Sequence, residues 1–286
     1  YALALRGKGY HLAALDRDPD TIAHALKNGM VNEGITAGPV DSSLSAQSAT
    51  GVRRALGQAD GVILGLYPDR ILPWLRVHRG LLKQGALVTD MAAVKSAFVA
   101  EAQAMMPPGC EFIPSHPMVG IARTGVHHAD NSQFHRSNFL VTPTGQNTKA
   151  GVEFARRLGE LLGFKTITVL SPEEHDLLVG LTSQLPHILA VTMMHLSEDD
   201  RMYGISAASY RNLVNIADTN PDLWSEILLA NTPILTKQIG TFVDSLQDLR
   251  RRLANGDREG LKALLTASRQ RSRAFTAQDE GAAAES

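Results

Sequence analysis

His11-Leu12-Ala13-Ala14-Leu15-Asp16-Arg17-Asp18-Pro19-Asp20 decides the fold. A short apolar run over residues 11–15 stops at an acidic residue, and Asp18-Pro19 then opens a helix, because aspartate is a good N-cap and proline suits the first helical turn. A buried strand feeding a helix in this way is the repeating unit of a parallel sheet. Upstream, Tyr1-Ala2-Leu3-Ala4-Leu5-Arg6 reads as the end of a helix stopped by Gly7 and Gly9. Downstream the alternation recurs: residues 61–66, 86–89, 111–114 and 139–142 are short, bounded apolar runs separated by helical patterns.

Near Thr142-Pro143-Thr144-Gly145-Gln146-Asn147-Thr148 the composition turns to loop residues, and beyond it nearly every apolar pattern has helical spacing. The expectation is an α/β domain over residues 1–146 and an all-helical domain over residues 147–286. Within the latter, Ile239, Phe242, Val243, Leu246, Leu249 and Leu253 recur at three- and four-residue steps. That stripe suits either a core or a subunit interface. Asn255-Gly256-Asp257 ends this helix and caps the next, which carries Leu261, Leu264 and Leu265; the small, acidic tail from Gln278 to Ser286 is expected to be disordered.

With 286 residues, 44% hydrophobic and 20% charged, the chain can bury a sizeable core, and no apolar run is read as approaching the roughly 20 residues of a membrane span. Lys+Arg 28 against Asp+Glu 29 gives a formal charge of -1, so the basic footprint of a nucleic-acid binder is missing and a small-molecule partner is expected. The single cysteine, Cys110, rules out an internal disulfide or a cysteine metal site. Residues 1–6 show no secretory pattern, and a cytoplasmic location is the default expectation.

Three places carry candidate chemistry. Asp16 ends a strand just before a helix, where a Rossmann-type fold holds its adenosine ribose; its carboxylate would accept both ribose hydroxyls of NAD and repel the 2′-phosphate of NADP, with Arg17 beside it as a partial offset. The same residues also suit an acidic capping turn. No G-x-G-x-x-G turn precedes them, and the natural protein is expected to carry roughly 10 to 20 more residues before Tyr1 that include it. Leu66, Tyr67 and Pro68 follow a later strand, and Asp90 another, at the edge where open α/β sheets bind cofactors.

His116 follows an apolar strand directly, which places it on that same ligand-binding edge. A histidine suits a general base working near neutral pH, with log kcat rising through an apparent pKa near that of histidine; a satisfied structural histidine is the alternative. Lys95, after Asp90, offers a cation that either holds a carboxylate or is simply solvated. Third, Glu174-His175-Asp176 precedes Ser183-Gln184-Leu185-Pro186-His187, and at helical steps Asp176, Gly180, Ser183 and His187 share one face, kinked by Pro186. His175 and His187 are 12 residues apart with no close-spaced ligand pair, so no metal site is expected.

In this order the motifs resemble the prephenate/arogenate dehydrogenase family. The resemblance covers residues 1–255 and rests on Leu15-Asp16-Arg17, the run from Asp90 to Lys95, His116-Pro117-Met118 with Gly120 and Gly125, Glu174-His175-Asp176, Ser183 through His187, and Tyr210-Arg211 through Pro221-Asp222-Leu223-Trp224. It implies a dinucleotide-binding domain, a helical dimerisation domain forming a homodimer, and NAD as cofactor. It also implies His116 as the catalytic base or hydrogen-bond acceptor, His187 as a substrate-binding residue, and a carboxylate-bearing substrate. Lys95, Ser183, Arg211 and Asn215 complete the expected substrate side. The chain departs from the family pattern at Ala93, where a serine is usual, and at Val214-Asn215, where Thr-Arg is usual. Asn215 supplies no charge for a bidentate grip on a carboxylate, and Arg211 lies one helical turn before it. Two other readings stay open on these residues: a weakly active or inactive dimer kept for binding, and a different Rossmann-type dehydrogenase of small hydroxy acids.

Overall fold

Asp18 accepts hydrogen bonds from the backbone N–H groups of Asp20 (3.0 Å) and Thr21 (3.2 Å) and from the Thr21 hydroxyl (2.7 Å), so the helix begins at the acidic turn. The structure, a computed structural model, describes residues 1–37, 46–120, 125–196, 198–199 and 201–284. The chain runs α1 (Ala2–Leu5), β1 (Ala13–Asp16), α2 (Pro19–Lys27), β2 (Glu33–Thr36), α3 (Ala46–Gln58), β3 (Gly61–Leu64), α4 (Pro68–His78), β4 (Leu87–Asp90) and α5 (Val99–Ala104). There follow β5 (Glu111–Phe112), β6 (Ser115–Pro117), β7 (Asn138–Val141), α6 (Lys149–Leu162), β8 (Thr166–Val169), α7 (Pro172–Val179), a π-helical turn (Gly180–Gln184) and α8 (Leu185–Met194). The remainder is helical: α9 (Met202–Ile205), α10 (Ala208–Val214), α11 (Pro221–Ala230), α12 (Thr232–Ala254) and α13 (Arg258–Ala284).

The strands form a parallel pair β1-β2, a parallel trio β3-β4-β5, and a trio β6-β7-β8 in which β6 runs antiparallel to β7 and β8 parallel to it. Leu64 and Asp90 are register partners at the C-terminal ends of β3 and β4. The loops leaving these strands therefore start side by side, on the edge where α/β sheets meet ligands.

The sheet does not stop at residue 146, so the all-helical expectation for residues 147–286 is corrected at its start. α6 and β8 come after the loop, and β8 pairs with β7 along Asn138↔Thr166 to Val141↔Val169. Thr148 caps α6 through the Gly151 N–H at 3.0 Å, and Gly163 ends it at φ 100°. The helix lies close on the sheet because Gly151 and Gly159 lack side chains: a Cβ there would come within 2.6 Å of Ile113 and 2.7 Å of Phe139. Ile113, Phe139, Val141, Ala155, Leu158 and Phe164 fill the layer between them.

Two compact units divide the chain, Tyr1–Thr232 and Pro233–Ser286. The second holds α12 and α13, joined at Gly256 with φ 64°, as the Asn255-Gly256-Asp257 signal implies. Val243, Leu246, Leu253, Leu264 and Leu265 of these helices are exposed. The tail differs from the disordered segment expected: α13 continues to Ala284, in keeping with the strong helix propensity of its alanines.

A second difference concerns Pro172–Met194, a helix long and apolar enough, by length and composition, to cross a membrane. It starts with Glu173, Glu174 and Asp176, and its His175, Asp176 and Gln184 side chains are buried and hydrogen-bonded to β6 and the β4–α5 loop. Those are the features of a helix packed on protein, with exposed Leu177, Leu178 and Leu181 on its other side.

Candidate active site

β6 ends the parallel run by turning back against β7, and its register places His116 opposite Leu140. The His116 side chain is about nine-tenths buried, at 9% exposure. Its Nδ1 lies 3.0 Å from Nε2 of His175 on α7, and Nδ1 of His175 lies 2.7 Å from Oδ1 of Asp176. A carboxylate only accepts hydrogen bonds, so His175 carries its proton on Nδ1 and offers a lone pair at Nε2. His116 must then donate from Nδ1. Its Nε2 is left as the basic nitrogen, and that atom has no hydrogen-bond partner among the described residues.

Helix α7 holds this arrangement in place. Ser171 and Glu174 close a capping box, with Glu174 N–H donating to the Ser171 hydroxyl at 3.1 Å and Ser171 N–H to the Glu174 carboxylate at 2.9 Å. Glu174 is thereby a structural cap. Asp176 accepts from the backbone N–H groups of Lys95 (2.8 Å) and Ser96 (2.7 Å), which ties α7 to the loop after β4.

Electrostatics follow from burial. The His116 ring is pushed well below the ordinary histidine range by desolvation, and the neighbouring His175 and Lys95 act the same way. Burial also lowers His175, but its hydrogen bond to Asp176 opposes the shift. Burial alone would raise Asp176; the hydrogen bonds from His175 and Ser96 hold it below the usual carboxylate range. His116 is therefore a neutral base at neutral pH.

Lys95 and Asp90 are both at 0% exposure, and Lys95 Nζ donates to Asp90 Oδ2 at 2.5 Å and to the Ser115 carbonyl at 2.7 Å. Asp90 also accepts from the N–H groups of Ala92 (2.9 Å) and Ser115 (3.2 Å). These two residues hold the β4–β6 junction from inside. Burial pushes the Lys95 ammonium below the usual lysine range, against the pull of Asp90.

On the helical side, the π-turn inserts one residue ahead of Pro186, whose missing N–H cannot complete the α-helical ladder. Gln184 rather than Ser183 is consequently the polar side chain that this turn buries. Its Nε2 reaches the Ala93 carbonyl at 3.3 Å, and its Oε1 accepts from Asn231 Nδ2 at 2.7 Å. His187 donates from Nδ1 to the Ser183 carbonyl at 2.8 Å and stacks on Trp224 of α11 with ring centroids 3.8 Å apart. His187, Ile188, Val191, Thr192, Thr219, Trp224 and Leu228 line a cavity of about 180 Å³.

The nucleotide-binding domain of prephenate dehydrogenase, as a sequence family, matches residues 1–168, and the dimerization domain of prephenate dehydrogenase matches residues 171–267. The chain belongs to the prephenate dehydrogenase family. Prephenate dehydrogenase of Bacillus subtilis (strain 168) is 27% identical over 270 residues, covering 91% of this chain and 68% of that protein. Cyclohexadienyl dehydrogenase of Zymomonas mobilis is 27% identical over 182 residues, covering 62% of this chain and 61% of that protein. The fold is that of the Aquifex aeolicus prephenate dehydrogenase crystallised with hydroxyphenyl propionate and NAD+, at TM-score 0.79 and 23% identity over 95% of this chain and 92% of that one.

Measured against what a prephenate dehydrogenase family member was expected to show, the site differs at Lys95. Its ammonium is spent on Asp90 and Ser115 inside the protein, not offered to a ligand, because a charge at 0% exposure is held only by such partners. Asp90, expected on the cofactor side, is equally enclosed. Asp16 is half-buried at the end of β1, where its Oδ1 accepts the Asp18 N–H at 2.9 Å, and Arg17 is exposed. Leu66, Tyr67 and Pro68 lead from β3 into α4, Tyr67 at 39% exposure. Arg211 is exposed and donates from Nη1 to the Ser206 carbonyl at 2.6 Å, and the turn opened by exposed Asn215 packs beside α8. Sequence reasoning misses His175 and Asp176 as partners of His116, although Glu174-His175-Asp176 stands out as a motif.

Proposed function

We propose that this chain is an NAD-dependent dehydrogenase that oxidatively decarboxylates prephenate, arogenate or a close analogue such as the 4-amino-4-deoxy form, giving 4-hydroxyphenylpyruvate or tyrosine from the first two. The observation that carries the reading is the His116–His175–Asp176 chain, which leaves His116 Nε2 as a neutral base at the sheet edge. It works as a homodimer through its helical region, in the cytoplasm.

The residues present fit the adenosine end of the dinucleotide. One carboxylate oxygen of Asp16 is taken by the Asp18 N–H, and the other has no hydrogen bond among the described residues, so it is free to accept ribose hydroxyls. Its charge favours NAD over NADP. Leu66, Tyr67 and Pro68 supply the wall after β3. When bound, NAD+ takes a hydride from C4 of the cyclohexadienol ring.

His116 accepts the proton of the C4 hydroxyl at Nε2, and CO2 leaves as the ring becomes aromatic. Loss of the hydroxyl proton pushes an oxygen electron pair toward C4, building the carbonyl as the hydride departs, so a base aligned on that oxygen contributes on the order of 10²–10⁴-fold. The substrate's carboxylate arm falls to the α8 side, where His187, fixed by Ser183 and Trp224, presents Nε2, and Asn215 and Arg211 lie on the adjacent helical turn.

The test is NADH formation with prephenate and arogenate offered in turn, with the aromatic product identified. Activity on one or both is expected. A folded, NAD-binding protein inactive on both, but active on a small hydroxy acid, would overturn the assignment.

A further inference from the structure

The proton that His116 takes up sits in an unfavourable place. The ring is buried, faces the Lys95 charge, and has no carboxylate of its own. One hydrogen bond away, His175 is also buried and also opposed by the Lys95 charge, but it is held by Asp176 at 2.7 Å, and Asp176 and Asp90 both favour its charged form. An imidazolium is therefore better placed on His175 than on His116, since an anion within hydrogen-bond reach stabilises a cation that burial alone would penalise.

From this geometry we infer that His175 and Asp176 are positioning residues of a proton relay, and that the proton removed by His116 is held on His175 between hydride transfer and aromatisation. The inference rests on the dehydrogenase reading for its substrate but not for its chemistry. The substrate O–H bond breaks as His116 Nε2–H forms; His116 Nδ1–H breaks as His175 Nε2–H forms. At the hydride step one proton has moved from the substrate hydroxyl to His175, with His116 left neutral in its other tautomer. As CO2 leaves and the ring becomes aromatic, the same shuttle in reverse returns that proton to the ring oxygen, because the phenolic product carries it. Asp176 stays ionised, because the Lys95 and Ser96 N–H groups and His175 all donate to it.

The charged and titratable groups that face the pair are Asp176 on α7 and Lys95 and Asp90 at the β4–α5 junction. Glu174, on the same helix, is taken up by the Ser171 cap. The relay thus has one carboxylate in direct contact, and it touches His175 only.

Two measurements decide it. The first is an acid titration of the ligand-free, full chain, with histidine ring nitrogens labelled with 15N and assigned through His116→Asn and His175→Gln. At neutral pH His116 should carry its proton on Nδ1. The first proton added should protonate both nitrogens of His175 and flip His116 to its Nε2–H form. A first proton that makes His116 the imidazolium overturns the relay, whatever the substrate proves to be.

The second is His175→Gln, which keeps an acceptor for His116 Nδ1–H but cannot take the proton on. Its kcat should fall on the order of 100-fold with KM little changed, and the curved solvent-deuterium dependence of kcat expected for two moving protons should become linear. Asp176→Asn should move the acidic limb of the pH–rate profile to lower pH. A His175→Gln enzyme within about threefold of wild-type kcat, on a substrate the wild type turns over, would show that His175 only orients His116. Absence of activity in the wild type itself would count against the dehydrogenase reading and leave the titration to decide the relay.

Discussion

Lys95 Nζ lies 2.5 Å from Asp90 Oδ2, and neither side chain is exposed to solvent. Removing one member of a buried, hydrogen-bonded ion pair leaves the other charge unpaired, at about 3–5 kcal/mol. Lys95→Met should therefore lower Tm by about 6–20 °C, at the roughly 2–4 °C per kcal/mol expected for a domain of this size. Thermal melts check this. An unchanged Tm with a raised substrate KM would show instead that the ammonium serves the ligand.

The structure changes the pH profile expected of His116. Desolvation first, then His175 and Lys95, push its ring well below the usual histidine range. A base with a lowered pKa is already deprotonated throughout the neutral range, so log kcat/KM should be flat there and fall only on acidification below the ordinary histidine pKa of ~6.5. His116→Asn should reduce kcat by about 100-fold or more while NAD+ affinity, measured by titration, stays within a few-fold. Equal loss of cofactor binding would mark a structural histidine.

Much of this arrangement was legible in residue order, and what was not has definite causes. β1, β3, β4, β5 and β7 are apolar runs with clear stops, and their ends are marked by Asp16, Asp90 and the Pro114-Ser115-His116 junction. β2 is hidden because Glu33-Gly34-Ile35-Thr36 has one large apolar residue, β6 because His116 and Pro117 are poor strand signals, and β8 because its Thr-Ile-Thr-Val alternation comes after a loop-rich stretch. Helical steps from Asp176 reach Ser183. The π-turn adds a residue that periodicity does not reveal, and Gln184 is buried in its place. The pairing of His116 with His175, 59 residues on, and of Lys95 N–H with Asp176, 81 residues on, exists only once the helix lies against the sheet edge.

Asp16 gives a prediction about cofactor choice. One of its carboxylate oxygens accepts the Asp18 N–H; with the other accepting the ribose hydroxyls, as proposed, a 2′-phosphate there would meet a negative charge. The wild type should favour NAD+, and Asp16→Ser should raise kcat/KM for NADP+ by about tenfold or more, a change of ~1.4 kcal/mol. Equal kcat/KM for both cofactors in the wild type would show that Arg17 outweighs Asp16.

Glu226 of α11 accepts the Asp69 N–H at the start of α4 at 2.5 Å. Partial desolvation, and then the Asp69 carboxylate, raise its pKa above the usual value. A carboxyl with a raised folded pKa binds its proton more tightly folded than unfolded, so it favours the fold at low pH and loses that contribution as pH rises through the raised value. Glu226→Gln keeps the acceptor oxygen and removes the charge. Its Tm should match the wild type near pH 4 and exceed it by about 1–2 °C at neutral pH, a small effect because the site is near the surface. A variant less stable at neutral pH than at pH ~4, relative to wild type, would reverse the assigned direction.

Asn215 opens the turn after α10, beside α8 and its His187. A substrate carboxylate brought to that side needs a cation, since an anion left buried and unpaired costs several kcal/mol. Lys95 is committed inside the protein, which leaves Arg211, whose guanidinium is exposed and bonded on one nitrogen to Ser206. Its remaining donors suffice for a carboxylate, so Arg211→Ala should raise KM for a prephenate-type substrate by about tenfold with kcat little affected. Asn215→Arg places a second guanidinium one residue past α10 and should lower KM by about tenfold, a gain of ~1.4 kcal/mol. Steady-state kinetics on both variants separate the outcomes: no loss from Arg211→Ala and no gain from Asn215→Arg would mean that the carboxylate is held elsewhere, and that the α10 end of the helical region does not face the substrate.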